Sequence, residues 1–517
     1  MKLAVSIASL LAIALVAWLL PIPHGVPAAA RHRTAVKPSP APPPTPSPLV
    51  SPSPQPVLTN EWRLFNPSYE TEGFANKTSV APGETVTLYV SSQTASWSAD
   101  VYRMGWYEGV GGERLLELPP QPGINQGGST HPDPGTGLVR APWKPSLQVT
   151  IPATWRSGMY MFKLTDASGF ESYIPLVVRG AGQAPAVFIH SSATDEAYNR
   201  WGYNQSLYSG STRNLNLDRA VEVSFDRPFQ GDFGAGYFFY WEYQMVQLLE
   251  REGIAADYLT DIDVHEHPEL LRKYKAVVIV GHDEYWSRSM RDAYIHAVGS
   301  GVSLAVFGGN TGYRQIRLQP SQVGADRVLV CYKDASLDPE PNPALKTAVS
   351  WRSPPTSWDE GTLLGESWIG TGEEIHREPW IVTNELSWVL GGTGLRNGQQ
   401  LPGLVGYEQD SFAGGAHPRF VDVFSSSPVP TGAGTVEANS TIYHGPSGAW
   451  VYDAGTIEWS WGVDHFMAPM TRVGMRPYFA TDKRPDYYSD AAVRITLNIL
   501  SRMLGQPFPS PSPPTVP

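Results

Sequence analysis

Between residues 60 and 180 the apolar positions recur every second residue in short runs. Thr85-Val86-Thr87-Leu88-Tyr89-Val90 alternates as a half-buried strand does, and 99–102, 147–151, 159–164 and 172–178 continue the pattern. Gly, Pro and Ser lie between the runs, with 78–84 (Thr-Ser-Val-Ala-Pro-Gly-Glu) reading as a turn. Several short strands joined by such turns predict a small β-sandwich of immunoglobulin-like type over 60–180.

Beyond residue 184 the period changes. Unbroken apolar runs at 186–189, 276–280 and 302–307 read as buried parallel strands, and 256–260 as the start of another. Helical patterns separate them: 240–252 ended by Gly253, a short one over 268–273, and 287–300 ended by Gly301. This alternation predicts an α/β domain over 184–505 with a parallel sheet and right-handed crossovers. The region 313–480, rich in Gly, Pro and Trp, reads as decorated loops or a third β-rich layer. Residues 490–504 form a strong amphipathic helix with Arg494 and Asn498 on its polar side.

The first residues change the setting. Lys2, an apolar stretch over 3–20 and Ala28-Ala29-Ala30 describe an export signal over 1–30. The stretch is also just long enough to span a bilayer, so an uncleaved N-terminal membrane anchor is the alternative. Residues 31–59 form a Pro/Ser-rich linker expected to be extended and disordered, and 506–517 repeat that composition as a tail. The folded body is therefore expected outside the cytoplasm, secreted or anchored on the outer face of the cytoplasmic membrane. The formal charge of −11 and the lack of a Lys/Arg cluster argue against nucleic acid as a partner. The single cysteine, Cys331, follows Val328-Leu329-Val330 and reads as a buried core thiol, with no partner for an internal disulfide.

Ligands of open α/β sheets bind at the carboxyl ends of strands. The run 276–280 leads there into Gly281-His282-Asp283-Glu284-Tyr285-Trp286, and the next leads into Gly308-Gly309-Asn310-Thr311-Gly312. An imidazole and two carboxylates thus fall at a place where this architecture builds sites, although Asp283 or Ser287 would also serve as a helix cap. The polar and aromatic stretch 196–208, which includes Tyr198, Tyr203 and Tyr208, reads as a loop over the same edge. No Gly-x-Ser-x-Gly elbow, phosphate-cradling loop or His-Glu-x-x-His helix occurs. His265-Glu266-His267 lacks a local third ligand and reads as a polar loop. Glu458 and Asp464, set among aromatic residues, read as structural or as a substrate wall.

Several strings together resemble a known family. They are Gly73-Phe74-Ala75-Asn76-Lys77-Thr78-Ser79, Tyr102-Arg103-Met104-Gly105-Trp106-Tyr107, Ala197-Tyr198-Asn199, Ser224-Phe225-Asp226-Arg227-Pro228, the His282–Trp286 block and Gly308-Gly309-Asn310. The chain resembles the C-terminal region of the N,N-dimethylformamidase large (beta) subunit and its exported relatives over roughly 60–504. The resemblance implies a domain similar to class I glutamine amidotransferases without their Cys nucleophile, carrying β-rich loop insertions. It also implies a mononuclear iron held by two tyrosinates and a glutamate. Carried over, the metal ligands are Tyr198, Tyr208 and Glu284, with Tyr203 a competitor for either tyrosine. The site histidine falls on His282, a substrate-orienting asparagine on Asn310 and a second catalytic glutamate on Glu408.

Hard phenolate and carboxylate oxygens favour a trivalent cation that leaves positions open for water and a carbonyl oxygen. Glu408 would carry the water's proton to the leaving amine, and His282 or Asn310 would steady the oxyanion. The export signal and Pro-rich stalk depart from the formamidase, as does the lack of any sign of a second subunit. Dimethylformamide is therefore not the expected substrate. The reading is an exported iron-dependent amide hydrolase acting on a small-molecule or cell-envelope amide. Two alternatives remain: a cell-surface protein that binds a glycan or peptide in an aromatic pocket, and a polysaccharide-cleaving enzyme using Glu284 and Glu408 as paired acids.

Overall fold

The alternating pattern of the first part closes into two facing sheets. In the computed structural model, residues 57–372, 377–432, 434–466 and 486–507 are described, all within one compact unit, Ser47–Pro517. The leader, most of the linker and most of the tail fall outside the described residues. Among those described, no helix is long and apolar enough to cross a membrane. A six-stranded sheet (order Val57–Leu58, Gly112–Pro122, Ser96–Met104, Gly158–Asp166, Glu171–Val178, Ser79–Val80) faces a three-stranded one (Thr71–Ala75, Thr85–Ser92, Leu147–Thr150). Val86, Leu88 and Val90 from one side meet Val101, Phe162 and Ile174 from the other in a shared core. The segment expected as a turn at 78–84 begins with an edge strand. Val80 is fully buried, and Ser79–Val80 runs parallel to Glu171–Val178.

A seven-stranded sheet follows. Its strands are β1 (Ala186–His190), β2 (Ala256–Thr260), β3 (Ala276–His282), β4 (Ser303–Gly309), β5 (Asp422–Thr431), β6 (Gly434–His444) and β7 (Trp450–Asp453), in the spatial order 2-1-3-4-7-6-5. The first five in that order are parallel, and β6 and β5 complete the sheet antiparallel, each to its neighbour. Part of the region 313–480 is thus neither loop nor separate layer: it extends the main sheet. Among the described residues the structure is mixed, rich in strands and poor in helix.

Helix α1 (Ser192–Tyr198) leaves β1, so the stretch expected as a loop from Glu196 begins inside a helix. Helix α2 (Tyr243–Arg251) is entered through a π-helical turn, Phe238–Glu242, where one continuous helix was expected. Helix α3 (Arg288–Gly299) starts at Ser287, whose hydroxyl accepts from the Met290 amide at 3.2 Å, so Ser287 rather than Asp283 is the cap. Helix α4 (Asp490–Leu504) covers the full predicted span and buries Ile495, Ile499 and Leu500. The sandwich and the main sheet share a core in which Trp62 stacks on Phe239 at 5.5 Å and meets Tyr243 edge-on. Cys331 is fully buried in the core on the other face of the main sheet, as expected of a core thiol.

Candidate functional site

The site begins where β3 ends. Gly281 adopts φ +71°, and a Cβ there would lie 2.3 Å from the Trp241 Cβ, so both conformation and space call for glycine. The backbone then places alternate residues on opposite sides. His282 and Glu284 face the phenols of the stretch after β1. Asp283 turns away and accepts from Trp286 Nε1 at 2.9 Å. Thr194 on α1 accepts the Glu284 amide at 3.0 Å, which fixes the turn.

The Tyr198 hydroxyl donates to Glu284 Oε2 at 2.8 Å, and the Tyr208 hydroxyl lies 2.8 and 2.9 Å from the two carboxylate oxygens. The two phenol oxygens are 3.0 Å apart, with the rings stacked at 4.3 Å. Two phenols and a carboxylate therefore converge on one point. Tyr203 does not join them: it is 56% exposed and its hydroxyl meets His131 Nδ1 at 3.1 Å. Among the described residues no group of three or more His, Cys, Asp or Glu gathers to hold a metal. The set of three converging oxygens suits a hard cation.

Arg314 was not singled out in the sequence, yet it grips this carboxylate. Its Nε donates to Glu284 Oε1 at 2.6 Å, its backbone amide donates to the Glu284 carbonyl at 2.9 Å, and its guanidinium also reaches the Val349 carbonyl. Oε1 is thereby occupied and Oε2 left toward Tyr198. Two other residues, to which the sequence assigned no role, complete this side. The Tyr285 hydroxyl donates to the Tyr208 oxygen at 2.7 Å, and the Lys333 ammonium sits 3.1 Å from the Tyr208 ring centre. Burial pushes the Glu284 carboxyl up, but Arg314, His282 and Lys333 together more than offset it, so it sits below the ordinary range. Burial, then the Glu284 charge, pushes the Tyr198, Tyr208 and Tyr285 phenols well above theirs.

The second polar tip follows β4. Asn310 has φ +51° and its amide donates to both oxygens of Asp410 at 3.0 Å each. Its Nδ2 lies 3.3 Å from His282 Nε2 and 3.2 Å from Glu408 Oε2. Glu408 opens a short strand, Glu408–Ser411, paired with Ser367–Thr371. From that partner strand Trp368 donates its Nε1–H to the same Oε2 at 2.6 Å. Burial, then Glu284, pushes the Glu408 carboxyl up to about 8. Burial pulls His282 down to about 4, so its ring is neutral near pH 7; Nε2 lies 3.6 Å from Glu284 Oε2. Asn310 thus links the histidine to the second glutamate. The six residues Tyr198, Tyr208, His282, Glu284, Asn310 and Glu408 are brought together. The other acidic candidates are not: Glu458 pairs with Arg377 and Asp464 with Arg251, while His265 binds the Ser287 hydroxyl.

A buried ion pair frames the tyrosines. Arg227 donates twice to Glu196 Oε1 (2.6 and 2.8 Å) and reaches the carbonyls of Asn199, Trp201 and Gln205. Both charged side chains are fully buried. Arg227→Met should lower folding stability by about 3–5 kcal/mol, because Glu196 would stay buried without its counter-charge. Denaturant melts of the two proteins check this, and a loss under about 1 kcal/mol would contradict it.

A sequence family described as "N,N-dimethylformamidase beta subunit-like, C-terminal" matches residues 98–472. The chain belongs to that family. A curated relative, the N,N-dimethylformamidase beta subunit of Alcaligenes sp, is 27% identical over 208 residues, covering 32% of this chain and 27% of that one. The match thus spans about a quarter of that relative's length. Among solved structures, a Paenibacillus sp. cycloisomaltooligosaccharide glucanotransferase aligns over 60% of this chain and 61% of that one. Its TM-score of 0.16 and 8% identity carry no argument.

Proposed function

We propose that this formamidase-family member is an exported, metal-dependent hydrolase that cleaves the C–N bond of an amide. The observation that carries the reading is the meeting of the Tyr198 and Tyr208 hydroxyls with the Glu284 carboxylate at 2.8–2.9 Å, beside Glu408. Family membership supports the hydrolase class. In this reading the sandwich is immunoglobulin-like and positions the site domain, an amidotransferase-like sheet whose nucleophilic cysteine is replaced by the Tyr/Tyr/Glu set. The leader places both outside the cytoplasm.

Tyr198, Tyr208 and Glu284 would hold a mononuclear iron(III), a hard ion suited to three oxygen donors. When bound, the ion supplies Lewis acidity to a carbonyl oxygen and acidifies water. The chain's own residues supply the proton transfers. Glu408 has Oε2 held by Trp368 and Asn310, so Oε1 is the atom left to take a proton. It removes one from the water whose oxygen bonds to the amide carbon. It then returns that proton to the amide nitrogen as the C–N bond breaks, giving a carboxylic acid and an amine. Neutral His282 faces the Asn310 NH2 through Nε2, so the ring proton sits on Nδ1 and the imidazole holds Asn310 in place.

The test is elemental analysis of purified protein beside an amine-release assay on a panel of small amides. About one iron per chain and amine release are expected. Colourless protein that retains no metal after iron loading and releases no amine would overturn the reading.

A further inference from the structure

We propose that a cleft between the sandwich and the amino ends of the main-sheet strands is a polyproline site, occupied by this chain's own Pro-rich tail, 508–517. The cleft has a volume of about 810 Å³ and lies at the start of β1 and β2, the edge opposite the Glu284 site. Its wall includes Trp106 and Tyr107, from a string that carries the family resemblance yet has no part in that site. The wall also includes Trp155, Arg156 and Gln183.

The aromatic pair is held rigidly. Tyr107 and Glu108 adopt φ +44° and +59°, a costly region for residues other than glycine and one that gathers at ligand clamps. Arg103, paired with Glu250 at 2.6 Å, donates to the Tyr107 hydroxyl at 2.8 Å. The Trp106 amide donates to the other oxygen of Glu250 at 3.0 Å, which ties the turn to α2. Among the described residues no ring stacks on the half-buried Trp106, and the indole N–H groups of Trp106 and Trp155 have no acceptor.

The chemistry of the cleft selects its ligand. Its charges are already paired: Arg103 with Glu250, Arg179 with Glu84 at 3.0 Å, and Arg156 with Glu113 at 3.3 Å. Asp257 Oδ2 accepts from the Gly182 and Gln183 amides and from the Tyr274 hydroxyl. The cleft thus offers aromatic faces and spare N–H donors, with its carboxylates committed. A charged ligand gains little there, and the hydroxyls of a sugar find no free carboxylate. A polyproline II chain presents rings and carbonyl oxygens with no N–H at each proline, and such chains dock in aromatic-lined grooves.

The tail fits by composition and by place. Five of the ten residues in 508–517 are proline and none is charged. Helix α4 ends at Leu504, whose carbonyl accepts from Lys275 Nζ at 3.1 Å. The Lys275 amide donates to the Pro185 carbonyl at 2.8 Å, and Ala184 beside it lines the cleft. The starts of β3, β1 and β2 are successive neighbours, so exit and cleft share one edge of the sheet, about 10 Å across. Ten residues in polyproline II span about 31 Å, enough to cross it.

A synthetic peptide of residues 506–517 tests this by calorimetry. It is titrated into wild type and into a full-length chain carrying Pro509→Gly, Pro511→Gly, Pro513→Gly and Pro514→Gly. The altered chain should bind it at least about tenfold more tightly, because in wild type the tethered tail competes at a millimolar effective concentration. Adding Trp106→Ala to the altered chain should weaken the peptide at least about tenfold. Trp106→Phe, which keeps a ring and drops the indole N–H, should weaken it about fivefold. Equal binding to wild type and the altered chain overturns occupancy by the tail. Competition that strengthens with protein concentration assigns the tail to a second copy and overturns the proposal as stated. No binding to the altered chain, or binding that ignores both Trp106 variants, overturns the site itself. Cellohexaose binding more tightly than the peptide makes the cleft a glycan site and overturns the proposal too.

Discussion

Glu408→Gln is expected to lower kcat for amide hydrolysis by about 10²–10⁴-fold with the fold intact. The glutamine matches the carboxylate in shape, and its carbonyl oxygen can still accept from Trp368 Nε1 and Asn310 Nδ2, which now meet at Glu408 Oε2. What it cannot do is carry a proton from water to nitrogen. The pH profile adds a second readout. Because burial and Glu284 push this carboxyl up to about 8, the base form is the minor one at pH 7. The rate should therefore climb with pH as this carboxyl loses its proton and level off above, with a midpoint that a bound cation moves below the metal-free value, and the limb should vanish in Glu408→Gln. The sign for stability is opposite. A carboxyl whose pKa is raised by folding holds its proton more tightly in the native state. Its contribution to stability is thus lost as pH rises from the unfolded value toward 8, and the glutamine variant should lack that slope. A kcat within tenfold of wild type, or a surviving limb, would take Glu408 out of the proton transfer.

Much of this site could be read from the chain because strand tips announce themselves. The run Ala276-Val277-Val278-Ile279-Val280 reads as a buried strand, which the structure has, and the polar residues after it emerge at the sheet edge. The pattern did not say which carboxylate faces the tyrosines. That depends on the turn at Gly281 and on Thr194 catching the Glu284 amide, a contact 90 residues apart in sequence. Arg314 was illegible for the same reason. It reaches Glu284 because Tyr285–Ser287 pairs in parallel with the start of Arg314–Gln319, and no local period records that pairing. Helix α1 was missed because residues 192–197 are all buried, so no polar face marks a helical repeat. The strands Asp422–Thr431 and Gly434–His444 carry Ser, Thr, Pro and Glu on partly exposed positions, which blurred their alternation. Trp368 sits on a separate two-stranded ribbon, distant in sequence from both strand tips, and nothing in its local pattern pointed to Glu408.

Glu284→Ala should strip iron from the protein, while Asp283→Asn should not. The two acids are neighbours in the chain but face opposite ways: Glu284 meets the phenols of Tyr198 and Tyr208, whereas Asp283 meets the indole of Trp286. Removing the carboxylate leaves two phenols whose pKa values burial has raised, and these bind a cation poorly without a third anionic donor. It also leaves Arg314, which is 13% exposed, without its counter-charge, at a cost of about 3 kcal/mol in folding stability. Thermal melts taken beside metal analysis separate that loss from the loss of ligation. Tyr198→Phe and Tyr208→Phe each delete one oxygen and keep the stacked rings, so the fold should hold while iron affinity falls at least about 10–100-fold. If Glu284→Ala retains wild-type iron through dialysis against a chelator, or if Asp283→Asn loses as much, the metal lies elsewhere. The convergence of phenols on Glu284 is then a hydrogen-bonded knot closed by Arg314, and the hydrolase reading loses its centre.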